Sequence, residues 1–304
     1  MEVSVPSLAK LNLDLRVLHR RPDGYHELRT IFQTISLADH LRIAFTAARR
    51  TAIEVASSVE IADNLAARAA ELACRTLRIK GRISIALEKR IPLGAGLGGG
   101  SSNAASVLRA IPALAGRSVP LAQLAALAAE LGSDVPFFLY GGTALGLGRG
   151  TEVYPLPDQP ARPVVVVDTG VHVSTAHAYR SLQRPVTNAL TSPDDLPILR
   201  EFQANTWKLD DPGASGLDFT NDFERPVFQL HGEVSRAVRK LRRLGALVAH
   251  MTGSGSAVFG LFATSHQALA AAGQFAPGQA HAARFVSRAR YRSLWRRALP
   301  GKFQ

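Results

Sequence analysis

Apolar and polar residues alternate along residues 8–18, LAKLNLDLRVL. A period of two predicts a strand with one buried face. Lys10, Asn12 and Asp14 fall on its polar face. RRPDGYHEL then interrupts with Pro-Asp-Gly, a turn signal. Further strands are expected over 28–36, 41–46 and 82–88. Asn64 to Leu77 carries apolar residues at helical spacing, with Asp63 as its expected N-cap. A glycine run follows, then helices over Ser101–Ile111 and Pro120–Leu131. Proline opens the second and Gly132 closes it. Pro155–Pro163 holds four prolines in nine residues and is the expected linker. VVVVD, 164–168, starts a new unit as a buried strand. Residues 185–222 read mostly as loop, with one helix near Leu199–Trp207. A strong helix is expected over Gly232–Leu244 and another over His266–Gln274. Strands at Ala246–Met251 and Ala257–Phe262 flank TGSGS. Strands and helices mix without regular βαβ alternation, so the expected class is α+β. Two domains are expected, 1–162 and 163–304.

Charge adds one asymmetry. The formal net charge is +12 over 304 residues. No Asp or Glu follows Glu233, and residues 234–304 hold twelve Lys and Arg. The remaining 24 basic residues balance the 24 acidic ones. A solvated basic face and a patch for a polyanion or a membrane surface both fit this. The N-terminal half lacks the basic–aromatic interleaving of a nucleic-acid binder, which argues against nucleic acid as partner. A single cysteine, Cys74, excludes an internal disulfide. The opening MEVSVPSLAK has no basic and apolar leader pattern, and no apolar run approaches about 20 residues. A cytoplasmic protein without a membrane partner is expected. The sequence carries no signal for an oligomeric state.

The candidate chemistry lies in IPLGAGLGGGSSNAA, residues 91–105. Five of the seven residues from Gly94 to Gly100 are glycine, each of which weakens an element interior. Placed between a strand and a helix, bare glycines let backbone N–H groups approach an anion. The helix N-terminus adds free N–H groups and partial positive charge, and Ser101 and Ser102 add hydroxyls. The run therefore reads as a phosphate cradle. It is not a P-loop, because no lysine follows the glycines. It matches G-x-G-x-x-G only formally, with no βαβ unit around it.

P-x-G-x-G-L-G-G-G-S-S-N-A-A resembles the nucleotide loop of the galactokinase, homoserine kinase, mevalonate kinase and phosphomevalonate kinase superfamily. AKLNLDLRVLHRRPDGYHEL, GSDVPFF and MTGSGSAVFGLF extend the resemblance, in order, from residue 9 to about 262. They are most similar to the branch that acts on cytidine diphosphate methylerythritol in the non-mevalonate isoprenoid route. The resemblance implies a ribosomal-S5-like N-terminal domain and a ferredoxin-like C-terminal domain. It also implies ATP-dependent phosphorylation of the 2-hydroxyl of that small-molecule substrate. Pro92, Gly94, Gly96, Leu97, Gly98, Gly99, Gly100, Ser101 and Ser102 are the implied ATP-binding loop, with Asn64 and Leu65 near the adenine. Asp134 is the implied catalytic base and Lys10 its partner. A carboxylate can take the hydroxyl proton, and an ammonium can offset charge on the transferred phosphoryl group. Asn12 is implied to bond the substrate, Tyr25 to stack on cytosine and His26 to read its edge. Tyr179 is the candidate second aromatic, with Thr175 beside it. TGSGS, 252–256, resembles the superfamily's third motif. No His/Cys/Asp/Glu cluster has metal-site spacing, so Mg²⁺ is expected to arrive with ATP. Ser102 is the candidate ligand for it. A different small-molecule kinase of the superfamily is the competing reading, and RPDGYH argues against it. The tail RARYRSLWRRALPGKFQ matches none of these motifs.

Overall fold

A computed structural model describes residues 1–187, 195–209 and 218–299. The chain starts with a long hairpin, β1 (Glu2–Arg20) and β2 (His26–Ala47), closed by the Pro-Asp-Gly turn. The two strands expected at 28–36 and 41–46 are one continuous element. β3 (Ala52–Ser57), α1 (Leu65–Thr76) and β4 (Gly81–Glu88) follow. Next come α2 (Gly99–Leu114), α3 (Leu121–Leu131), the single turn α4 (Phe137–Tyr140), β5 (Thr143–Leu147) and β6 (Glu152–Pro155). These strands form one sheet in the order β3-β4-β2-β5-β6, with β1 paired to β2. Only β3 and β4 run parallel.

The second part holds β7 (Pro163–Val167), α5 (Thr175–Ser181), α6 (Leu196–Lys208), α7 (Glu224–Leu230) and α8 (Gly232–Arg243). β8 (Val248–Met251), β9 (Val258–Leu261), α9 (Ser265–Ala272), β10 (Ala280–Arg284) and α10 (Arg288–Ala298) complete it. Its sheet is antiparallel in the order β10-β7-β9-β8. The valine run of β7 is buried on both faces, as its lack of alternation predicts. Val165 and Val167 face α8 and α9, while Val164 and Val166 meet Leu11, Leu13, Ile31 and Ile35 of the first sheet. That shared core joins the two sheets.

Two differences from the expected pattern bear on function. β1 buries both faces, and Lys10, Asn12 and Asp14 are only 2%, 4% and 0% exposed. Register irregularities at Leu8/Lys10 and Asn12/Asp14 bracket the first two residues. Such breaks re-aim side chains. Lys10 and Asn12 face a cavity, whereas Asp14 turns to Arg16 and Asn205. Burial holds the Asp14 carboxyl above its ordinary range, against the opposing pull of Arg16. The second difference is the tail. α10 belongs to the core of the first sheet, where Tyr291, Trp295 and Leu299 pack with α2, α3 and α4. A division at 162/163 therefore leaves out the last helix, which returns to the N-terminal half. Buried apolar area, rather than any motif, decides its place. Trp295→Ala should lower the unfolding free energy by about 3–5 kcal/mol in a urea titration, the range for emptying a core aromatic site.

Candidate active site

The glycine run is anchored before it starts. Asp39 of β2 is fully buried and bonds the Lys89 ammonium. Its other oxygen accepts the N–H groups of Arg90 and Ile91, both at 2.8 Å. A buried ion pair offsets its desolvation only when its remaining hydrogen-bonding groups are used, and Asp39 uses both oxygens. The loop then alternates. Gly94, Gly96 and Gly98 have φ of 65°, 79° and 70°, while Ala95 and Leu97 between them are buried. Ala95 accepts a hydrogen bond from Ala257 N–H at 3.1 Å, and Leu97 from Lys10 N–H at 3.0 Å. At Gly96 a Cβ would collide with the Thr252 carbonyl. The TGSGS turn and the glycine run are thus in backbone contact, which is one physical reason for glycine here. α2 begins at Gly99, two residues before the expected Ser101, and no side chain caps it. Its first-turn N–H groups are left for another acceptor.

Lys10 and Asp134 meet beside this loop, Nζ to Oδ2 at 3.1 Å. Lys10 is 2% exposed and the Asp134 side chain 33%. Lys10 Nζ also donates to Asn12 Oδ1. Asn12 is fixed in turn: its backbone N–H donates to Thr252 Oγ1 at 2.9 Å and its Nδ2 to Thr30 Oγ1 at 2.8 Å. Asp134 lies in the turn between α3 and α4 and caps neither, since Pro136 occupies the α4 N-cap. Its carboxylate faces Lys10 instead.

A cavity of about 1020 Å³ connects the loop, this pair and the tip of the first hairpin. Its lining includes Gly94, Gly96 and Ser101 of the loop, Lys10, Asn12 and Asp134, and Tyr25, His26, Thr175 and Tyr179. Arg149 lies over the half-exposed Tyr25 ring at 4.4 Å. His26 stacks on Tyr179 with centroids 4.8 Å apart, and Tyr179 meets the Phe223 ring edge-on at 4.7 Å. Tyr179, expected as a second face for cytosine, is thus covered by His26. Burial first, then the Asp134 charge, pushes the Tyr179 phenol well up, so it stays protonated. Thr175 bonds Ser254 of the TGSGS turn at 2.9 Å. Burial, followed by the nearby Arg20 and Arg184, lowers the His26 pKa, so this imidazole is neutral at pH 7. A neutral ring offers one donor and one acceptor.

Residues 64–142 match the GHMP kinases N terminal domain, and 200–278 match GHMP kinases C terminal. A 4-diphosphocytidyl-2-C-methyl-D-erythritol kinase of Solibacter usitatus is 53% identical over 96% of this chain and 92% of its own. The chain belongs to the 4-diphosphocytidyl-2-C-methyl-D-erythritol kinase family of the GHMP kinases. A Geobacillus kaustophilus member is 38% identical over 86% of this chain and 88% of its own. A crystal structure of 4-(cytidine 5'-diphospho)-2C-methyl-D-erythritol kinase superposes with a TM-score of 0.76 at 40% identity. It covers 94% of this chain and 99% of that one. Homoserine kinase from Cytophaga hutchinsonii shares the fold, with a TM-score of 0.70 at 18% identity over 94% and 95% of the two chains.

Several residues implied by the family resemblance stand outside the cavity lining. Ser102 is buried, with its hydroxyl bonded to Ser7 at 2.7 Å, and does not line the cavity. Ser101 is the serine that lines the cavity. Asn64 rather than Asp63 caps α1, accepting from Ala66 N–H at 3.0 Å. Asp63 is drawn instead to Arg68 at 3.0 Å. Leu65 lies against Gly100 of the loop. Pro92, Leu97, Gly98 and Gly99 are also outside the lining. Sequence reasoning missed Asp39, Lys89, Thr30, Arg149 and Asn221. Asn221 donates to the carbonyls of Met251 and Gly253, both at 2.8 Å, and so holds the TGSGS turn. Each lies tens of residues from its partner, and only an acid in mid-strand at Asp39 gave a local hint.

Two outcomes follow from this arrangement. Gly96→Ala should destabilise the chain, measured by urea unfolding, by more than the ~1–2 kcal/mol of a left-handed alanine alone, because the Thr252 backbone blocks its Cβ. In an NMR titration His26 should take up its proton below the ordinary histidine value of about 6.5. Arg20→Ala should move that midpoint upward.

Proposed function

We propose that the chain transfers the γ-phosphoryl group of ATP to the 2-hydroxyl of 4-diphosphocytidyl-2-C-methyl-D-erythritol, a step toward isoprenoid precursors. The observation that carries this reading is the Lys10–Asp134 pair, 3.1 Å apart, which lines one cavity together with the glycine loop, Tyr25 and His26. The loop and the uncapped start of α2 suit the ATP phosphates. Pro92, Asn64 and Leu65 are assigned to its nucleotide side on family resemblance. Tyr25 offers an exposed ring to cytosine, and neutral His26 offers both hydrogen-bonding senses to its edge.

The reaction needs positioning and charge stabilisation more than covalent help. Asp134 accepts the hydroxyl proton as the hydroxyl oxygen bonds to the γ-phosphorus and the bridging bond to ADP breaks. Lys10, held by Asn12, faces the charge that spreads over the transferred group. Mg²⁺ would neutralise the ATP phosphates. Among the described residues no three His, Cys, Asp or Glu side chains form a metal site. Such a cation would be held mainly by phosphate oxygens and water, with Ser101, which lines the cavity, as the candidate protein donor.

Arg149 over Tyr25 gives the reading a further element. A guanidinium beside the cytosine platform is placed to meet a diphosphate. The test is ADP release from Mg-ATP with the cytidine substrate, with homoserine and mevalonate as controls. Release with the cytidine substrate alone is expected. Release with a control instead would leave the phosphate loop intact and remove the roles of Tyr25 and His26. Asp134→Asn should lower kcat by about 10²–10⁴-fold, the size of a lost general base. Near-normal turnover would show that Asp134 is not the base.

A further inference from the structure

The C-terminal helix matches no catalytic motif, yet it contacts the element next to Asp134. α4 begins three residues after Asp134 and is one turn long. A helix this short does not hold itself and leaves its last carbonyls open. Gly141 N–H fills the Phe137 carbonyl at 2.9 Å. The next two are filled from elsewhere. Tyr291 of α10 donates its hydroxyl to the Phe138 carbonyl at 2.5 Å, and Arg109 of α2 donates to the Leu139 carbonyl. The Arg109 guanidinium lies over the Trp295 indole at 5.4 Å, so α10 backs both bonds. Gly141, at φ 66°, lets the Tyr291 ring come close enough that a Cβ there would collide with it.

The other side of α4 faces the reacting groups. The Phe138 ring lies 2.8 Å from where a Gly98 Cβ would stand, and Lys10 Cγ lies 3.0 Å from that same point. Phe137 stacks on Phe32 at 4.8 Å, and Phe32 carries the Lys10 ammonium 5.6 Å from its centroid. One turn of helix is thus packed between the catalytic pair and α10.

We propose that Tyr291 is a positioning residue for phosphoryl transfer: its hydroxyl, bonded to the Phe138 carbonyl, sets α4 and thereby the place of Asp134 opposite Lys10. This rests on the reading of Asp134 as the base. Tyr291 touches neither the cavity nor a substrate, and acts through the backbone of α4. It is 2% exposed, and burial raises its phenol pKa, which keeps the donor proton in place. Because the second and third carbonyls of α4 depend on α10, the tail is part of the active-site scaffold.

The test is Tyr291→Phe in the full chain, which keeps the ring and removes the donor. kcat should fall about three- to tenfold, the worth of one net hydrogen bond. KM for ATP and for the cytidine substrate should stay within about twofold, as befits a loss felt mainly in the transition state. p-Aminophenylalanine at 291, which restores a donor at the same place, should recover most of kcat. In an Asp134→Asn background Tyr291→Phe should cost nothing more, since the two act as a unit. Hydrogen exchange at the amides of 138–141 should speed up in Tyr291→Phe. An unchanged kcat, an equal further loss on Asp134→Asn, or a loss that only follows the melting temperature would overturn the proposal. Near-normal turnover by Asp134→Asn alone would instead remove the role of Asp134.

Discussion

Burying an ammonium costs several kcal/mol unless its hydrogen bonds are met inside the protein. Lys10 is 2% exposed, and what meets it organises the site. Asp134 reaches it from the turn after α3, Asn12 from the same strand, and Phe32 from the neighbouring one. Its own N–H is used by Leu97 of the glycine loop. Asn12 is held by Thr252 of the late turn and Thr30 of β2. One charged side chain therefore draws together segments from residue 10 to residue 252. Moving Asp134 and Asn12 away would leave a buried charge without a polar partner.

Much of this was legible in the sequence, and the exceptions share a cause. Strong local patterns read correctly: the alternation of β1, the valines of β7, the glycine run between strand and helix. Local patterns fail where a distant partner decides. The polar face of β1 predicts exposure, but the glycine loop, Asp134 and Asn205 cover it, and the register breaks divert Asp14 from Lys10 and Asn12. Asp63 and Asn64 are both good caps by type, and an exposed ion pair with Arg68 separates them. Ser101 and Ser102 are equivalent as hydroxyls until the turn of α2 sends one inward to Ser7. Basic residues in the tail suggest a solvated end, while Tyr291, Trp295 and Leu299 at helical spacing carry it into a core. Asp39 and Lys89, fifty residues apart, make a pair that no spacing rule reports.

The family fold and the substrate end of the site have separate origins in the chain. In the proposed reading the glycine loop, α2, α4 and the TGSGS turn form the phosphate and transfer side; a homoserine kinase at 18% identity shares the overall fold. The hairpin tip with Tyr25 and His26, Arg149 before β6, and α5 with Tyr179 form the other end. That end is built from a turn, a loop and a seven-residue helix, elements free to vary without disturbing the sheets.

The seam between the two sheets has a mechanical consequence. Ala257 bonds Ala95, Leu15 is bonded by both Thr220 and Asp222, and Val286 bonds Thr34, all through the backbone. The first of them joins the glycine loop to the residue before β9. Ties of this kind resist a swing of one half away from the other, because each backbone bond would have to break before the seam could open.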